Sequence, residues 1–331
     1  MRKKITIKEV AKLAGVSVST VSRTLNNGKY IKGKTKNKII KVIKECEYRP
    51  NIIARGLRTK KTNSIGLIVP DITNEFFAKM ALSIEKKLSE MNYNLLLCNS
   101  GENQEIERRY IKTLLDKLVD GIIFISSGYD ENLSLFTENI PIVMIDRKIS
   151  LNNIVFITSQ NEEGGYLATK HLVENGCRKI IMLKDEKVVS PMISRFKGYK
   201  KALREYGLPF DPNLIIEVKI SREAVKEKIL RIHNQIKFDG IFAGTDLLAI
   251  GAVKALIKLG YKIPDEVQIV GFDNIAAADF YNPGITTISQ RIEKMGEKSA
   301  QIIIDIIEKK ESIGPKSYYF PVKLIKRDTT K

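Results

Sequence analysis

The chain has 331 residues, 43% of them hydrophobic, and a formal charge of +18. That length exceeds one small core and suggests two or three domains. Cys46, Cys98 and Cys177 lie far apart, which excludes a disulfide framework or a zinc-spaced cluster, and apolar runs such as Gly121–Ile125 are too short to cross a bilayer.

The charge is concentrated at the front. Residues 1–61 carry 18 Lys and Arg against three acids (Glu9, Glu45 and Glu47), a net +15, leaving +3 on the other 270 residues. A basic head on a nearly neutral body suits a polyanion partner. Met1–Lys4 run straight into an amphipathic helix pattern and resemble no signal peptide, so the expected location is the cytoplasm, with no membrane partner.

Thr6-Ile7-Lys8-Glu9 has the form of a capping box, and Val10, Leu13 and Ala14 follow at helical spacing. Gly15 ends that helix, and Ser17 opens a second with Val18, Val21 and Leu25 on or near one apolar stripe. Two short helices joined by a Gly-containing turn form a helix-turn-helix pattern. Ser17, Ser19, Thr20 and Ser22 are small enough to approach phosphates and base edges, and Arg23 has the reach for a guanine. A third helix is expected near Lys36–Cys46, packed by Ile39, Ile40, Val42 and Ile43, and Pro50 releases the chain from it. Over Asn51–Arg58, Ile53, Ala54 and Leu57 recur at helical spacing, but a helix of about eight residues containing Gly56 is marginal alone.

After Thr62 the period changes. Strands are expected at Ile65–Val69, Leu95–Leu97, Ile122–Ile125 and Ile142–Ile145, with helices at Phe76–Met91 and Glu105–Lys117. A second series follows, with strands at Ile180–Leu183, Leu214–Val218, Ile241–Ala243 and Val267–Val270. Its helices fall near Phe196–Tyr206, Ala224–Gln235 and Leu247–Leu259. The alternation predicts parallel sheets covered by helices. DGIIF from Asp120 is echoed by DGIF from Asp239, and PIVMID ending at Asp146 by VQIVGFD ending at Asp273. Two similar halves imply a cleft between them, with ligand groups at the carboxyl ends of the strands, where Asp146-Arg147, Thr245-Asp246 and Asp273 fall. His171 and His233 have no candidate nucleophile nearby, and there is neither a Walker loop nor a GxGxxG run. No enzyme activity, cofactor or metal is expected.

The run TIKEVAKLAGVSVSTVSRTLNNG, then YRPNIIARGLRTKKTNSIGLIVPDITNEFF, and later DGIIF, PIVMIDR, RFKGY, DGIFAGTDLLAIGA, VQIVGFDN and TTISQ resemble the LacI/GalR family of bacterial repressors over essentially the whole chain. The resemblance implies a small all-α helix-turn-helix head (1–50), a hinge helix (51–61) and an α/β periplasmic-binding-protein-like body (62–331). The body would comprise one subdomain of about 62–157 plus 288–319 and a second of about 158–287 plus 320–331. The implied DNA contacts are Thr6, Ser17, Val18, Ser19, Thr20, Arg23 and Asn26, with Asn51, Ala54 and Leu57 from the hinge. Leu57 would wedge between base steps in the minor groove. The implied effector site is Phe76, Phe77, Arg147, Gln160, Arg195, Thr245, Asp246, Asp273 and Gln290. Gln160 stands where an Asp is usual, which is expected to alter ligand polarity, and Glu75 where a Pro is usual, which is expected to loosen the first-lip turn.

The expected function is a repressor working as a homodimer on a pseudo-palindromic double-stranded DNA operator. Its effector is expected to be a sugar or sugar acid that releases DNA. Two guanidiniums, Arg147 and Arg195, weight the expectation toward a sugar acid, because paired forks match a carboxylate. A purine-type corepressor regulator, a phosphoprotein-dependent catabolite regulator and a periplasmic solute-binding protein are the competing readings.

Overall fold

The computed structural model describes residues 5–25, 31–46, 48, 61–128, 140–148, 154–308 and 315–331. It divides into two compact units, Met1–Thr62 and Asn63–Lys331.

In the first unit, α1 (Ile7–Ala14) starts from a complete capping box: the Thr6 hydroxyl accepts the Glu9 N–H and the Glu9 carboxylate accepts the Thr6 N–H at 2.7 Å. Gly15, at φ +62°, closes the helix in the left-handed region that only glycine enters without strain. The Ser17 hydroxyl accepts the Thr20 N–H at 3.2 Å and starts α2 (Val18–Leu25). α3 runs from Gly33 to Glu45, opening three residues before the expected Lys36. Val10, Ala11, Ala14, Val21 and Ile39 form the buried centre. Three sequence expectations fail here. Leu13 is 59% exposed and Val18 39% exposed, so neither packs the stripe assigned to it, and Ser22 is buried rather than presented to a partner.

The second unit contains two lobes. The first holds β1 (Ser64–Val69), α4 (Glu75–Glu90), β2 (Asn94–Asn99), α5 (Gln104–Asp116), β3 (Gly121–Phe124), β4 (Ile142–Ile145) and β5 (Val155–Ser159). The second holds α6 (Asn161–Glu174), β6 (Ile180–Asp185), α7 (Ser190–Glu205), β7 (Ile215–Val218), α8 (Arg222–Ile232), β8 (Gly240–Ala243), α9 (Asp246–Lys258), β9 (Gln268–Asp273), α10 (Ala276–Phe280) and β10 (Thr286–Ser289). The chain then returns to pack α11 (Ile292–Ile307) on α4 and to add β11 (Ser317–Phe320) beside β5, and ends with β12 (Lys323–Ile325) beside β10. The strand orders are β11-β5-β4-β3-β1-β2 and β12-β10-β9-β8-β6-β7, parallel except for the β10–β12 pair. The chain passes from one sheet to the other after Ser159, Ser289 and Phe320. α7 opens at Ser190, six residues before the expected Phe196.

The repeated DG motif has a structural cause. Asp120 accepts the N–H of Asn63 just before β1, and Asp239 accepts those of Arg178 and Lys179 just before β6. Each aspartate thereby fixes where the neighbouring parallel strand begins.

Candidate functional site

On the head, Ser17 just before α2 and Val18, Ser19 and Arg23 within it are exposed, and Thr20 is half-buried. The hydroxyls are tied together: Ser17 Oγ lies 2.7 Å from Ser19 Oγ and 2.8 Å from Thr20 Oγ1. Thr6 is exposed at the start of α1. Asn26, Asn51, Ala54 and Leu57 lie outside the described residues.

In the body, the strand ends converge as the halves predict. The chain takes positive φ at Asp146 (φ +64°), after β4, at Asp273 (φ +115°), the last residue of β9, and at Asn274 (φ +58°). Such backbone is uncommon for side-chain-bearing residues and clusters at functional sites. Phe76 and Phe77 open α4, both 4% exposed, with rings edge-to-face at 5.2 Å. Arg147 lies over the Phe77 ring at 5.4 Å and Arg195 over Phe272 at 3.7 Å.

Both guanidiniums are already engaged. Arg147 forms a two-pronged pair with Glu102, at 2.8 and 2.9 Å, and its Nη1 also donates to the Ser126 carbonyl at 3.2 Å. Lys187, from the second lobe, reaches the same Glu102 at 3.2 Å. Burial opposes ionisation of Glu102, but the hydrogen bonds and charges of Arg147 and Lys187 outweigh it and hold its carboxyl below the usual range. Arg195 donates to Asn161 Oδ1 at 2.8 Å and to the Gly244 carbonyl at 2.5 Å, and its Nη2 lies 3.6 Å from Asp273. Gln290 donates to the same Asp273 oxygen at 2.7 Å.

Two buried acceptor atoms here have no protein partner, Asp146 Oδ1 and Gln290 Oε1. Burial pushes Asp146 upward against the charges of Arg195 and Arg147. It also pushes Asp273 upward, against Arg195 and reinforced by Asp246 and Asp146. Buried acceptors of this kind cost free energy unless a donor meets them, and ligand hydroxyls are suitable donors.

Arg195 owes its place to glycines. A Cβ on Gly165 of α6 would lie 2.1 Å from the Arg195 carbonyl oxygen, and one on Gly198 of α7 would lie 2.0 Å from the Glu162 carbonyl oxygen. The two helices therefore touch backbone to backbone, and Arg195 is carried to the strand ends.

Three of the expected residues make other contacts or none. Asp246 is fully buried: one oxygen accepts the Thr287 hydroxyl at 2.5 Å and the other the Ile275 N–H at 2.9 Å. Burial raises its pKa, with Thr287 and the backbone donors opposing. Asp246 therefore braces the Asp273–Ile275 turn from behind. Thr245 caps α9, its hydroxyl accepting the Leu248 N–H at 3.3 Å. Gln160 is exposed at the start of α6 without a side-chain capping bond. Glu102 and Asn161 escaped the sequence reading, because a loop glutamate and a helix-start asparagine carry no local signal.

Among the described residues, no group of three or more His, Cys, Asp or Glu side chains is placed to hold a metal, and no helix is long and apolar enough to cross a membrane.

A helix-turn-helix head joined to a body of two α/β lobes, with charged and polar side chains gathered at the strand ends, defines a ligand-responsive DNA-binding regulator. Residues 6–51 match the family of bacterial regulatory proteins of the lacI type, and residues 62–328 match the periplasmic binding proteins and sugar binding domain of the LacI family. The chain belongs to the LacI family: it is a DNA-binding transcriptional repressor with an effector-binding body. It is 40% identical to a ribose operon repressor of Halalkalibacterium halodurans, over 98% of this chain and 97% of that one. It is 33% identical to an HTH-type transcriptional repressor PurR of Vibrio vulnificus, over 98% of each. A crystal structure of a periplasmic binding protein/LacI transcriptional regulator from Alkaliphilus metalliredigens complexed with D-xylulofuranose is 36% identical, with a TM-score of 0.73, over 81% of this chain and 99% of that one.

Proposed function

We propose that this repressor is released from its operator by a neutral monosaccharide of pentose size bound in the body cleft. The observation that carries the reading is the state of the two arginines. The sugar-acid expectation requires guanidinium forks open to a ligand carboxylate, but Arg147 is spent on Glu102, and Arg195 on Asn161, Gly244 and Asp273. Glu102, held in its ionised form by Arg147 and Lys187, answers the cations at this end of the cleft, and Asp273 is shared by Arg195 and Gln290. What remains on offer is a set of hydroxyl partners and an aromatic lip, the chemistry of a neutral sugar. The relatives named for ribose and bound to xylulofuranose support the same class.

The remaining parts of the reading are the DNA contacts of Ser17, Val18, Ser19, Thr20 and Arg23, a homodimer on a pseudo-palindromic operator in the cytoplasm, and no enzymatic turnover. One helix-turn-helix reads only a few base pairs, so a two-fold pair is needed for a specific site. Calorimetric titration with D-ribose, D-ribonate and hypoxanthine tests the effector class. Ribose is expected to bind and the other two not to; binding of hypoxanthine alone overturns the reading.

A further inference from the structure

Glu75 stands at the first position of α4, where the resemblance leads one to expect a proline and a looser turn. The structure shows the reverse of loosening. The Glu75 carboxylate crosses to the other lobe, where its oxygens accept the N–H groups of Ala276 at 2.5 Å and Ala277 at 3.3 Å. These belong to the first turn of α10, whose N–H groups have no carbonyl of their own helix to meet. Lys79, one turn along α4, holds the same carboxylate at 2.8 Å and keeps it aimed outward. The far side of the contact is anchored too. Arg327 ties Asp279 at 2.7 Å and Asn274 at 2.9 Å, so the α10 segment is fixed to its own lobe.

The position matters as much as the bond. Glu75 directly precedes the Phe76–Phe77 lip, and Ala276 follows the Asp273–Asn274 turn by two residues. One carboxylate therefore joins the aromatic lip of one lobe to the acidic turn of the other. Besides the Lys187–Glu102 ion pair, a hydrogen bond from the Lys148 N–H to Ser190 Oγ at 2.8 Å also joins other segments of the two lobes.

We propose that Glu75 is an inter-lobe latch, a positioning residue that holds the Phe76–Phe77 lip against the Asp273–Asn274 turn and keeps the two lobes closed. A charge-assisted acceptor shared by two backbone donors is among the stronger polar contacts available at a partly exposed site. The inference does not depend on which effector the cleft takes.

Amide hydrogen exchange on the full-length protein without effector tests it, comparing the parent with Glu75→Ala and Glu75→Gln. In Glu75→Ala, exchange is expected to rise about tenfold both at residues 276–277 and at the Lys148 amide, with β1 and β9 unchanged, because opening the lobes breaks the hydrogen bonds at both places together. Glu75→Gln keeps one acceptor oxygen and should fall between the two. Unchanged exchange at 276–277 overturns the proposal, and so does a rise there that leaves Lys148 unchanged, since that marks a local cap and no latch. If Glu75→Ala also loosens β1 and β9, the gentler Glu75→Gln decides by the same criterion.

Discussion

Arg147 and Glu102 meet in a two-pronged ion pair, and the Lys187 ammonium of the opposite lobe rests on the same carboxylate. The pair removes the open fork that an acidic ligand would need. Replacing Glu102 with Gln removes one negative charge from beside Arg147 and Lys187. Affinity for D-ribonate is then expected to rise about tenfold while affinity for D-ribose falls, because Arg147 loses its orientation. Calorimetry on the two ligands reads the exchange; unchanged preference in Glu102→Gln contradicts the role given to the pair.

Gly165→Ala should damage the site from beneath. The added Cβ meets the Arg195 carbonyl oxygen at 2.1 Å, so α6 and α7 must separate. Overpacking costs about 1–3 kcal/mol, and Arg195 is carried away from Asp273. A lower melting temperature together with weakened sugar binding is expected. Parent-like affinity would show that Arg195 is placed independently of the helix contact.

Asp246 is predicted to act through stability. Asp246→Ala leaves the Thr287 hydroxyl and the Ile275 N–H unpaired in the core, at about 1–3 kcal/mol for each buried group. Gly271→Ala should imitate it, because its Cβ would fall 2.3 Å from Asp246 Oδ1. Thermal denaturation of both variants should show a lower midpoint in each, whereas a direct ligand contact at Asp246 would weaken sugar binding without that loss.

His171 supplies a pH prediction. Burial, aided by the Lys326 charge and opposed by Glu174, lowers its pKa from 6.5, and its Nε2 lies 2.9 Å from Thr330 Oγ1 in the tail that follows β12. The unfolded chain binds the proton more readily than the folded one. The stability it contributes is thus fully present above about pH 6.5 and is lost as pH falls through the lower folded value. The parent is expected to lose more stability than His171→Gln between pH 7.5 and 5 in denaturant titrations. Parallel losses would assign the acid sensitivity elsewhere.

The legible parts of this protein were those with local causes. The Thr6–Glu9 capping box, the Gly15 turn and the βα alternation each follow from a few neighbouring residues, and each formed close to its expected place. β11 and β12 were invisible because they pair with strands far back or across a crossover, as when Ser317 meets Phe156. The cleft set was legible in composition but not in role. Thr245 and Asp246 share one dipeptide, yet the first caps a helix and the second braces a turn, a distinction made by Thr287 some forty residues on. Glu102 was missed for the same reason, since its partner lies 45 residues ahead.

The most direct test of the account is the operator affinity of the full-length protein, followed by fluorescence anisotropy at fixed salt, with and without saturating D-ribose. If the neutral sugar favours the released state, ribose should weaken operator binding at least tenfold, while ribonate and hypoxanthine leave it unchanged. An operator affinity that rises with ribose, or that responds only to hypoxanthine, would contradict it.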